Sequence, residues 1–197
     1  MEAQIVESSN LPEVNLKEKS LKMLLWIGLV SIGMMFAGLT SGYLVRRGTG
    51  TWLPFQLPFT FYISTAIILI SSITMNMAMQ AAKKGSSSGI SMGILLTWIL
   101  GVAFGVCQFM GYKTLVDQKI FLVGTNSNAS GSYLYILSLL HLGHILGGLV
   151  ALTIAYIKSL RKKYTVQNYT GIKLCATYWH FLDGLWVYLF IFMLLYR

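Results

Sequence analysis

Acidic residues are nearly missing from this chain. Its 197 residues include six Asp and Glu, and four of these (Glu2, Glu7, Glu13, Glu18) fall near the N-terminus. Beyond Glu18 only Asp117 and Asp183 remain. Charged residues of both signs make up 11% of the chain, against about 25% in an ordinary soluble domain. A folded surface turned wholly to water is excluded.

Other absences narrow the function. The two cysteines, Cys107 and Cys175, sit inside apolar runs with no CxxC spacing and no histidine cluster beside them. No disulfide framework or cysteine metal site is indicated, and they read as small apolar fillers. The chain has no Walker loop, no dinucleotide fingerprint, no HExxH and no nucleophile with a base beside it. Repeats of the kind that build many transporters are also missing. A self-contained active site has nothing to be made from.

Apolar residues are plentiful instead: 55% of the chain, with a mean hydropathy of +0.66. They gather into five runs, Lys22 to Val45, Leu57 to Ala82, Ile90 to Tyr112, Tyr133 to Ile157 and Ile172 to Tyr196. A helix of ~20 residues crosses the ~30 Å hydrocarbon core, so each run is a span. The first is too long, and lacks the small-residue cleavage site, for a removable signal peptide. The expected fold is an all-α integral membrane bundle of five transmembrane helices. Residues 1–21 form a polar cytoplasmic segment and 22–197 the bundle. With the N-terminus inside, ten basic residues flank the inner ends and five (Arg46, Arg47, Lys113, Lys119, Arg197) the outer ends. The positive-inside rule therefore places the N-terminus in the cytoplasm and the C-terminus in the periplasm. The net charge of +9 then reflects topology and contact with anionic lipid, with no nucleic-acid partner required.

The polar exceptions inside the spans are the candidate site. His141 and His144 lie three apart on the fourth run, His180 and Asp183 three apart on the fifth, so each pair shares a helix face. Counted from opposite membrane faces at 1.5 Å per residue, all four come out ~12–17 Å deep. An ionisable group at that depth costs at least ~2.5 kcal/mol and is kept when it has a partner or a job. Three readings stay open: an interhelical polar cluster that locks the bundle, a haem or metal held by histidines, or a proton relay. The structural cluster leads, because a relay needs further polar sites and the second and third runs contain no acid.

Three GxxxG pairs, Gly38/Gly42, Gly101/Gly105 and Gly143/Gly147, are candidate close-approach faces. Trp26, Trp52, Tyr112, Tyr133, Tyr164 and Tyr196 sit where interfacial aromatic belts form. The ten methionines fall mostly in the apolar runs and read as packing or lipid-facing residues, not as a copper site.

The last run is also the most distinctive in wording. YWHFLDGLWVYLF, Tyr178 to Phe190, resembles the signature that closes subunit III of haem–copper terminal oxidases. It brings Trp179 and Trp186 into the motif. HLGHILGG, His141 to Gly148, is similar to that family's H-x-x-H-x-x-x-G pattern and is preceded by the matching Gly131–Ser132 pair. Gln108 and Tyr112 match its Q-x-x-x-Y, and STAIILISSIT, Ser64 to Thr74, is similar to its small-residue-rich helix. Two positions depart from the pattern. Phe59 and Gly111 stand where the family often has carboxylates.

The resemblance implies an accessory subunit in the short, five-helix bacterial form. It implies no redox cofactor on this chain, with haem and copper in partner subunits I and II. It further implies packing on subunit I, bound phospholipid and support of proton uptake in the bacterial inner membrane. Proton buffering by carboxylates at positions 59 and 111 is not carried over. Rival readings are the matching subunit of a quinol oxidase or nitric oxide reductase, a b-type membrane cytochrome with His141 or His144 opposite His180, and a small transporter coupled through Asp183.

Overall fold

A computed structural model describes residues 2–48, 57–120, 122, 129–162, 164 and 169–196, with side chains of the first helix described from residue 16 onward except 17. Trp52, Lys163 and Arg197 lie outside the described residues. Within them the regular elements are five helices: α1 Glu2–Arg47, α2 Phe59–Lys83, α3 Ser87–Asp117, α4 Ala129–Leu160 and α5 Thr170–Tyr196. Each contains a stretch long and apolar enough to span a membrane. Hydrocarbon offers the backbone no hydrogen bonds, so the chain satisfies its amides internally by staying helical throughout each run. The boundaries match the five expected runs within a few residues. The polar segment before α1's apolar part (Glu18–Arg47) continues the same helix.

The turns follow from local chemistry. Pro58, φ −58°, precedes α2, where its missing N–H costs nothing. Gly85 ends α2 with φ 71°, so that its own N–H bonds Ala82 and that of Ser86 bonds Ala81. The Ser86 side chain then caps α3 by accepting from the Gly89 N–H. The ends of α3 and α4 use lysines, Lys119 and Lys162, in the same left-handed region (φ 61° and 51°). Those positions are strained for a side chain, but they place a cation at the negative end of a helix dipole.

Backbone proximity joins α2 to α3, α3 to α4, α4 to α5 and α5 back to α2, closing a ring of four. α1 lies outside it and approaches only α4 and α5. The tightest seam is α2–α3. A Cβ added at Gly93 would stand 2.7–2.8 Å from the Cα, N and Cβ of Ala78, and one at Gly111 would stand 2.6 Å from the Phe61 ring. Gly38, by contrast, faces open space. Gly93→Ala is therefore expected to destabilise the bundle by about 1–3 kcal/mol through overpacking, while Gly38→Ala changes it by less than about 0.5 kcal/mol. Thermal unfolding of the two variants in one detergent, followed by circular dichroism, checks the difference.

Candidate functional site

The polar chemistry of the bundle is concentrated where α5 meets α2. Two tryptophans, seven residues apart on one face of α5, are wholly buried. Trp186 donates its indole N–H to Thr65 and Trp179 donates to Ser71, both at 3.0 Å. Beside the Trp179 bond His180 Nδ1 shares a 2.7 Å hydrogen bond with the Ser72 hydroxyl. From Trp179–Ser71 to Trp186–Thr65 the numbers rise along α5 as they fall along α2, so the two tryptophan bonds fix one antiparallel register. The acceptors are aimed in advance. Thr65 donates its own proton to the Phe61 carbonyl and Ser71 donates to that of Ile68, which leaves oxygen lone pairs turned to the indoles.

The same device holds α2 to α3. Ser64 donates to Phe61 O and accepts from Gln108 Nε2 at 3.0 Å, while Thr74 and Thr97 share a bond of 2.8 Å. Ser91 and Ser159 link α3 to α4 near the far end. On the α4–α5 side, Tyr178 donates to the His144 carbonyl at 3.1 Å. The Tyr112 and Tyr135 rings pack together at 5.4 Å, and the Tyr135 hydroxyl donates to the Ile120 carbonyl at 3.1 Å.

Trp179 also sets how closely the ring of helices can draw together. A Cβ at Gly101 on α3 would come within 2.7 Å of its indole, and one at Gly148 on α4 within 3.1 Å. The indole thus touches α2, α3 and α4 at once, and only hydrogen-sized side chains fit beside it. Of the six glycines in the expected GxxxG pairs, Gly101 carries this contact. Gly42, Gly105 and Gly147 meet neighbours at 3.4–3.7 Å, and Gly38 and Gly143 meet nothing within 4 Å. The spacing was a poor guide, because it ignores which way each helix is rotated. The tight glycines it missed, Gly89, Gly93, Gly111, Gly148 and Gly171, each oppose a small side chain or an aromatic residue.

The four ionisable residues divide into two pairs. His141 is enclosed by rings, with centroids 5.1 Å from Trp186, 6.0 Å from Phe104 and 6.4 Å from Phe36. His144 packs on the other side of Phe36 and turns Nδ1 to its own Leu140 carbonyl at 2.7 Å. His180 and Asp183 stay together on α5, 4.0 Å apart, against Ser72. Among the described residues no hydrogen bond joins the histidines of α4 to Asp183, and neither His141 nitrogen nor either Asp183 oxygen has a hydrogen-bond partner. In place of the direct His–Asp pairing expected between α4 and α5, His141 meets α5 at the Trp186 ring. Helix rotation, fixed by the two tryptophans, decides this.

A family model described as cytochrome c oxidase subunit III matches residues 19–197. The chain belongs to the cytochrome c oxidase subunit III family. Among curated relatives, a probable cytochrome c oxidase subunit 3 of Nocardia farcinica is 31% identical over 192 residues, covering 95% of this chain and 90% of the relative. Cytochrome c oxidase subunit 3 of Corynebacterium diphtheriae is 31% identical over 166 residues, 80% of this chain and 79% of that one. The hagfish (Myxine glutinosa) cytochrome c oxidase subunit 3 is 30% identical over 138 residues, 70% of this chain but 49% of the relative.

In this subunit III chain the closing signature is thus a packing instruction. Trp179, His180 and Trp186 all engage hydroxyls of α2, and Tyr178 ties α5 to α4. The residues that sequence reasoning missed are those hydroxyls, Thr65, Ser71 and Ser72. Thr65 and Ser71 stand six apart on STAIILISS, close to the seven between Trp179 and Trp186, which is the signal that would have found them. A double-mutant cycle of Ser71→Ala and Trp179→Phe, read by detergent unfolding, is expected to give a coupling near 0.6 kcal/mol and not above about 2.

Proposed function

We propose that this chain is a non-catalytic subunit III that packs against subunit I of a proton-pumping haem–copper oxidase in a bacterial cytoplasmic membrane. It stabilises subunit I, holds phospholipid and supports sustained proton uptake, while haem and copper stay in subunits I and II. The observation that carries this reading is the use of the α2 hydroxyls and Gln108 for internal helix register. Thr65, Ser71, Ser72 and Gln108 are all engaged in helix–helix bonds, and the faces left outside are apolar. A b-type cytochrome needs His141 or His144 opposite His180 across a porphyrin. His141 is closed in by Phe36, Phe104 and Trp186 and His180 is bound to Ser72, so these residues do not fit that group. A redox-inert scaffold fits them better.

Two experiments test the proposal. A tagged chain drawn from membranes in mild detergent should bring down a haem spectrum that leaves when larger partners are stripped; haem remaining on the isolated chain would overturn the assignment. Oxidase prepared without this chain should keep the same haem spectrum and initial oxygen consumption but lose activity sooner during turnover. For orientation, the basic inner ends support a cytoplasmic N-terminus. On intact spheroplasts a membrane-impermeant thiol reagent should label Asp117→Cys and spare Lys84→Cys, both at exposed ends of helices. The reverse pattern would invert the topology.

A further inference from the structure

One side of α3 carries Phe104, Gln108 and Tyr112 at steps of four, and the side of α4 opposite it carries Tyr135, Ser138 and His141 at steps of three. All six are buried. The two helices run antiparallel, and two ring contacts set their level: Tyr112 on Tyr135 at 5.4 Å and Phe104 on His141 at 6.0 Å. Gln108 lies midway between its two ring neighbours, and Ser138 midway between its own. The two therefore stand at one level, with the Tyr112 hydroxyl turned to Ser138. Their polar atoms are only partly used. Gln108 donates through Nε2 to Ser64 of α2 at 3.0 Å, while its Oε1 has no hydrogen-bond partner among the described residues. The Tyr112 hydroxyl has none either. Ser138 donates to the Leu134 carbonyl at 2.7 Å and keeps oxygen lone pairs available to accept.

We propose that one water molecule is held between α3 and α4 at this level, donating to Gln108 Oε1 and Ser138 Oγ and accepting from the Tyr112 hydroxyl. The set offers two acceptors and one donor. A buried water typically makes about three hydrogen bonds, and its two protons and a lone pair complement that set. A direct bond from Tyr112 to either oxygen would leave the other side incomplete, and a bare amide oxygen away from water is expensive. Through Gln108 and Ser64 the water extends the hydrogen-bond network of α2 across α3 to α4. It lies between the Trp98–Thr153 bond and the bond from Tyr135 to the Tyr112 carbonyl. Over that stretch no side-chain hydrogen bond joins α3 to α4 among the described residues, so the water supplies the missing tie. The inference goes beyond the subunit assignment and does not rest on it.

Equilibrium unfolding of the full chain in mild detergent tests the proposal. Tyr112→Phe removes only the hydroxyl and should lower the folding constant roughly threefold, the worth of an average hydrogen bond between membrane helices. An unpartnered hydroxyl predicts the opposite: its removal leaves folding unchanged or improves it, and that result overturns the proposal. The remaining rival is a direct bond from Tyr112 to Ser138, which a double-mutant cycle of Tyr112→Phe with Gln108→Met separates. Loss of the Ser64 bond cancels in the cycle. With a shared water, the cost of Tyr112→Phe should shrink in the Gln108→Met background. An undiminished threefold cost there overturns the proposal in favour of the direct bond. A cryo-electron microscopy map of the wild-type chain in its native complex needs no variant to fold. It should show a density peak within hydrogen-bond reach of Gln108 Oε1, Tyr112 Oη and Ser138 Oγ; side chains closed on one another without a peak overturn the water. The unfolding results are read on the chain alone, so a failed pull-down of oxidase partners would refute the subunit assignment without touching them.

Discussion

Everything in the ring of helices depends on the seat of Trp179. Its indole lies among three helices besides its own, bonded to Ser71 and pressed against the bare backbones at Gly101 and Gly148. A larger side chain at either glycine would push α3 or α4 away from α5. Lipid gives helices no hydrophobic reason to associate, so close van der Waals contact and a few directed hydrogen bonds must hold them. Trp179 supplies both in one side chain. Trp186 repeats the arrangement two turns on, bonded to Thr65 and stacked near Phe61 and Phe104.

The hydroxyls of α2 explain why the register is single-valued. A serine or threonine in a helix discharges its donor on the carbonyl a turn earlier and keeps an acceptor facing outward. In hydrocarbon, an indole N–H with no acceptor is expensive, so a slip of α5 along α2 would strand Trp179 and Trp186 together. Sliding is penalised at two heights at once. α1 has weaker ties. Phe36 sits between His141 and His144, Thr40 shares a bond with Tyr188, and Tyr43 donates to the Tyr196 carbonyl. Most of its remaining surface is apolar and exposed.

Hydropathy made the five helices legible, because length and composition alone decide what can cross a bilayer. Helix neighbours were less so. GxxxG spacing pointed equally to Gly38, Gly101 and Gly143, yet only Gly101 is pressed by a neighbour; the deciding quantity is rotation about each helix axis, which no local spacing encodes. The histidines show the same limit. Depth was computable from sequence position and came out common to all four ionisable residues, but facing was not, and the two pairs ended on different seams. The closing signature was recognisable as a pattern before its physical meaning was visible. That meaning needs its acceptors, and these lie more than a hundred residues upstream on α2.

The way polar groups are distributed bears on what such a chain can do. A catalytic or ligand-binding bundle keeps polar side chains converging on a cavity. Here Gln108, Trp179, Trp186 and the α2 hydroxyls converge on one another, and the clefts open at the ends and edges, away from the buried His141. What remains for other molecules is therefore the outer surface: long apolar helix faces suited to lipid and neighbouring membrane helices, and basic helix ends suited to phosphate. Rigidity of the ring and looseness of α1 then work together. The ring forms a fixed core, and α1 is held to it on two sides only, by α4 and α5.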